Sequence, residues 1–183
     1  MGEISFLTSG SSGGSKSISN SIADLEDCSI IFCAAWNQKP PDLQRAGRVS
    51  LPAMEHLDHI VSEIMRARDS LKSINTYDGS PLSVELGKSA GLIHTPTNRI
   101  EQSAMINAGA GNGRLPSAGV PISMERLLNK IKHRHHGPIN FRVSGNSHTL
   151  IFNVDKPDQT PDCIVEFEVK EFCRNLAAIP SLI

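Results

Sequence analysis

Three stretches near the end of the chain place apolar residues at every second position, and no other feature limits the fold as strongly. Ile139, Phe141 and Val143 alternate with Asn140 and Arg142. Leu150, Phe152 and Val154 follow a Ser-Gly-Asn-Ser sequence, a tight turn in which Gly145 and Asn146 tolerate positive φ. Cys163, Val165, Phe167 and Val169 repeat the pattern after the polar loop DKPDQTPD, with Glu166 and Glu168 on the opposite side. A period of two gives a strand one apolar and one polar face. The expectation is a three-stranded antiparallel meander with one buried face.

Helices can cover that face from both ends. Ser123 is placed to cap a helix, with Glu125 in its first turn and Ile122 set to staple onto Leu127. Met124, Leu127, Leu128 and Ile131 form its apolar stripe, and Gly137 and Pro138 stop it. Phe172, Leu176 and Ile179 suggest a closing helix. Residues 119–183 therefore read as an α-β-β-β-α unit.

The preceding chain divides in two. Residues 1–22 are dominated by Ser and Gly and read as a flexible tail, because such a composition buries too little surface to offset ordering entropy. Residues 23–118 read as a mainly helical region with a short strand, and a boundary is expected near residue 118. The strand is placed at CSIIFCAAW (28–36), a β-branched, apolar run. A long amphipathic helix is expected over 51–74, with Leu57, Ile60, Val61, Ile64, Ala67, Leu71 and Ile74 on one face. Ser50 is its expected cap and Pro52 lies in its first turn. SVELGKSAGLI is open to strand or helical turn, and Arg99 to Asn107 to a short helix. AGAGNGRLPSAGVP reads as a flexible connector. The fold class is thus α+β: tail, long helix, C-terminal meander unit.

A formal net charge of −1 gives no global field toward nucleic acid or membrane, so such binding would need a local patch. The four cysteines, Cys28, Cys33, Cys163 and Cys173, form no C-x-x-C pair, which argues against structural zinc. Neither a signal peptide nor a membrane-length apolar run is present, so no membrane partner is expected. Together these features predict a soluble, intracellular, cytoplasmic protein with reduced thiols.

Candidate chemistry centres on KIKHRHHG. Lys130, Lys132, His133, Arg134 and His136, with Arg142 on the adjoining hairpin, are the candidate nucleic-acid contacts, since cations release counterions condensed on phosphates. His148 is assigned with Arg142 to the outer face of that hairpin. A helix followed by a hairpin is also the order used by winged-helix DNA readers. The α-β-β-β-α order, with His148 and Phe152 on the second strand, resembles a double-stranded-RNA-binding domain. That resemblance implies a helix and a hairpin loop touching successive minor grooves. It covers about a third of the chain, and the chain departs from it at EFEVKEFC, acidic where that family's second helix opens with lysines. The competing explanation is that the cations only complement a helix dipole.

Other motifs are weaker. His133 with His136, or His56 and His59 with Glu63, have spacings that could converge on a metal, but no H-E-x-x-H signature accompanies them. Arg126 and His133 have the spacing of a histidine–arginine ribonuclease pair, on a helix followed by the wrong architecture. Gly109, Gly111 and Gly113 superficially match a phosphate loop without its strand and helix. The acidic segments DKPDQTPD and EFEVKE could meet a basic partner or the basic end of a second copy. No nucleophile, base and orienting group assemble from spacing. The expectation is a small non-enzymatic binding module that contacts nucleic acid, with no cofactor, metal or catalytic residue. The alternatives are a self-assembling protein that uses the tail and CSIIFCAAW as a homo-oligomer contact, and a histidine-dependent nuclease or metal hydrolase.

Overall fold

A computed structural model describes residues 17–134 and 139–183 of the chain. The first sixteen residues of the expected tail, together with His135 and His136, lie outside the described residues. Among those described, six α-helices surround a five-stranded antiparallel sheet, and the protein is of the α+β class.

Helix α1 spans Ile18–Trp36, capped by Ser17 through the amide of Asn20 at 3.2 Å. It corrects the expected strand at 28–36. The apolar β-branched run is the second half of a helix whose buried positions Ile22, Leu25, Ser29, Phe32 and Cys33 follow three- and four-residue steps. Period and cap override the strand propensity of Ile30 and Ile31. Most of CSIIFCAAW is consumed by packing within the chain, although Ile30 remains 55% exposed.

Helix α2 spans Leu43–Ser73 and begins earlier than expected. Its cap is Asp42, which accepts from the Arg45 amide at 2.9 Å, while Ser50 is helical and donates to the Ala46 carbonyl at 2.8 Å. Pro52 lies inside the helix. The predicted stripe holds for Leu57, Ile60, Val61 and Ile64, all buried, but Ile74 at the C-cap is exposed.

The segment 75–118 resolves into α3 (Pro81–Gly87), β1 (Ser89–His94) and α4 (Arg99–Asn107). SVELGKSAGLI is thus helix and then strand. Ser80 caps α3, and Asn98 with Glu101 forms a reciprocal capping box on α4. β2 (Val120–Ser123) leads into α5 (Met124–Lys132), capped by Ser123. The meander is β3 (Asn140–Ser144), β4 (Ser147–Asp155) and β5 (Pro161–Glu168). Helix α6 covers Val169–Leu176, and a single 3-10 turn follows at Ile179–Ser181. Val169 therefore opens α6 rather than ending the third strand.

The strand order is β2-β1-β5-β4-β3, so β1 extends the meander and the sheet crosses residue 118. One face carries Ile93, Leu150, Phe152, Val154, Val165 and Phe167 into the main core beneath the helices. The other face, expected to be polar, holds a small core of its own, in which Ile151 and Ile164 pack under Met105 of α4. The glycine-rich connector lies along β3. The Gly113 amide donates to the Phe141 carbonyl at 3.2 Å, and Asn112 forms a bridge with Arg142. A Cβ at Gly113 would approach Ile151 Cδ1 to 2.7 Å and Asn140 Cβ to 2.9 Å. The connector thus needs its glycine to sit this close, and it shields an otherwise open strand edge.

Candidate functional site

The predicted cationic cluster divides between two places. Arg142 stands opposite Thr149 on β4, whereas Arg134 bridges to Val154 on the same strand. Five residues of strand separate these contacts by about 17 Å. Arg142 donates to Glu166 at 3.3 Å and to the Gly113 carbonyl at 3.0 Å. Arg134 lies on the other side of the sheet, with its guanidinium 5.8 Å from the centre of the Phe152 ring. The helix end and the hairpin therefore do not form one patch.

Lys130, His133 and Arg134 do share a cleft of about 970 Å³, which Arg99 of α4 and Lys156 of the β4–β5 loop also line. Carboxylates meet three of these cations. Arg134 holds Asp58 of α2 with two bonds, at 2.6 and 2.8 Å. Lys130 donates to Asp162, and Arg99 reaches Asp155 at 3.1 Å. His133 is the exposed C-cap of α5 and Lys132 is exposed beside it. His136 lies outside the described residues.

The other histidines have structural partners. His59 shares a hydrogen bond of 2.8 Å with Ser21, His56 lies 3.9 Å from Asp24, and Glu63 binds Arg66. Among the described residues no three metal-binding side chains cluster. His94 Nδ1 lies 2.8 Å from Ser117 Oγ, and its Nε2 lies 3.6 Å from Glu101 Oε2. A serine, an imidazole and a carboxylate are thus in sequence, a trio that spacing did not reveal. The 3.6 Å gap is beyond hydrogen-bond reach. The same Glu101 oxygen accepts from the Thr97 hydroxyl at 2.9 Å and the Asn98 amide at 3.1 Å. Glu101 is thus committed to capping α4, and His94 ties the connector to the end of β1.

Like Asn153 Oδ1, His94 Nε2 is buried without a hydrogen-bond partner, and the remaining histidine shares that condition in an apolar setting. The two-residue period that turns Leu150, Phe152 and Val154 inward also turns His148 inward. The outer-face assignment of His148 is corrected: it is only 7% exposed. Its ring stacks on Phe32 of α1, with centres 4.5 Å apart, and meets Phe141 edge-on. Nδ1 shares a hydrogen bond of 3.1 Å with Ser29 Oγ. Nε2 is buried and has no hydrogen-bond partner. Burial pushes the imidazole pKa down to about 4, so the ring is neutral at pH 7.

His148 lines an apolar cavity of about 200 Å³. Its inner wall is Leu25 and Phe32 of α1 with Leu150 of β4, and Val49, Ala53 and Met54 of α2 close the other side. The cavity lies where the main core meets a smaller cluster of Phe32, Ala35 and Ala46. No charged side chain lines it. The parity of His148 with Leu150 was the available sequence signal for its burial. The cavity itself had none, since it depends on how α1 and α2 meet the sheet.

No protein-family profile, curated protein or solved structure matches this chain. Fold and site define it as an α+β protein with an apolar cavity beside a buried, half-satisfied histidine. No described helix is long and apolar enough to cross a membrane.

Proposed function

We propose that this protein is a small non-enzymatic binding module whose ligand is a small apolar molecule held between α1, α2 and the meander. One observation carries this reading: the partnerless Nε2 of buried His148 belongs to the wall of an apolar cavity of about 200 Å³. An unpaired buried nitrogen costs about 1–3 kcal/mol, and interiors otherwise close-pack. An apolar cavity with a few polar groups is the usual form of a small-molecule site.

Toluene tests the cavity directly. Ligand bound only by the folded state stabilises it by about 2.7 kcal/mol at a hundredfold excess over Kd. The expected result is a concentration-dependent rise in Tm that Ala53→Phe, which fills the cavity, removes. A Tm indifferent to toluene in the unaltered protein overturns the reading.

A second reading keeps the nucleic-acid partner. In its favour, Lys130, His133 and Arg134 share one cleft with Arg99 and Lys156. Against it, Asp58, Asp155 and Asp162 already hold three of these cations, and phosphates would have to displace them. Salt-sensitive duplex binding that is lost in the Lys130→Glu, Arg134→Glu variant would restore it.

A further inference from the structure

Resting on the cavity reading above, we infer that the ligand is a neutral single-ring aromatic bearing one hydroxyl, a phenol, whose oxygen bonds to His148 Nε2. Size selects the ring. Benzene occupies an engineered apolar cavity of about 150 Å³ in another protein, and about 200 Å³ here leaves room for a ring and a short substituent. The walls suit it: Phe32 and His148 stack with centres 4.5 Å apart, and Phe141 stands edge-on to Phe32 at 4.9 Å. All three rings line the cavity, so an entering ring would pack among aromatic groups.

The polar inventory selects the hydroxyl. Ser50 gives its one hydroxyl proton to the Ala46 carbonyl, and Ser29 Oγ pairs with His148 Nδ1. His148 Nε2 is what remains among the partnerless buried polar atoms that line the cavity. The imidazole is neutral, so Nε2 either donates or accepts according to which tautomer Ser29 favours. A hydroxyl answers both cases, whereas a carbonyl or ether answers one. A carboxylate or ammonium would enter a wall with no countercharge.

Calorimetric titration of the full chain with phenol and with toluene tests this, using the unaltered protein and His148→Phe. Phe keeps a ring at this position and removes both nitrogens. The expected result is that the substitution weakens phenol about tenfold and toluene less than about threefold, the loss of one buried hydrogen bond. Equal effects on the two ligands, or toluene binding without phenol binding, overturn the phenol assignment and leave the cavity reading standing. Binding of neither ligand overturns both. If His148→Phe does not fold, histidine-selective nitrogen NMR of the unaltered protein decides instead. Phenol should move the His148 Nε2 resonance and toluene should leave it in place; an Nε2 signal unmoved by phenol overturns the inference.

Discussion

The cationic cleft and the His148 cavity are opposites in chemistry and in how well their polar groups are satisfied. The cleft is larger, charged and conspicuous in the sequence. Yet Arg134, Lys130 and Arg99 each have a carboxylate within the molecule. The cavity is smaller and almost wholly apolar, and it retains one unmet hydrogen-bonding atom. Abundance of charge marks a solvated face at least as often as a site. An unsatisfied buried polar atom is rarer, because folding normally pairs such groups.

Acid should break the comparison most strongly. The folded pKa of His148 is about 4, below its ordinary 6.5, so the unfolded chain takes up the proton first. The associated stability is complete above pH 6.5 and is lost as pH falls toward 4, by about 3 kcal/mol in all. Urea unfolding between those pH values should show this loss in the unaltered protein and a much smaller one in His148→Phe. A slope shared by both would place the titration elsewhere.

Two structural contacts give intermediate effects. Glu125 at the start of α5 accepts from Tyr77 and Lys72, both at 2.8 Å, and so ties α5 to the end of α2. Glu125→Ala should cost about 2 kcal/mol in denaturant unfolding, since it strips the partner from a part-buried phenol. Gly113→Ala should cost about 1–2 kcal/mol, because the added methyl must push Ile151 or Asn140 aside. A neutral Gly113→Ala would mean that the connector has room to move off β3.

The smallest effects test the cleft. Asp58→Asn should lower stability by less than about 1 kcal/mol, because Asp58 is 52% exposed where it meets Arg134. Combined with Asp162→Asn it should also free two cations and steepen the salt dependence of duplex binding in fluorescence anisotropy. No gain in binding would show that pairing is not what silences the cleft.

The legible parts of the fold were those specified by neighbours in sequence. Ser123 capping α5, the alternation along β3 to β5, and the Phe172, Leu176, Ile179 stripe each need only a few residues of context. CSIIFCAAW has the look of a strand only in isolation, because Ile22 and Leu25 upstream set the helical phase. The start of α2 is disguised, because Ser50 and Pro52 mimic a helix beginning that Asp42 has already made. Insertion of β1 beside β5 had no local signal. Nor did the small core under α4, where Met105 meets Ile151 and Ile164.

By itself the sequence determined caps, periods and turns, since these depend on backbone geometry and on residues three or four apart. The α+β class and most of the inward set of the meander follow from these, His148 and Val169 being the exceptions. Which cations are held and which histidines are left half-satisfied depends on contacts that only the tertiary structure makes. Arg134 meets Asp58 from 76 residues away, and His148 meets Ser29 from 119. Such pairings follow from how α1 and α2 pack on the sheet. Desolvation is a property of that packing, so the orphaned nitrogen and the cavity beside it exist only once the layers have closed.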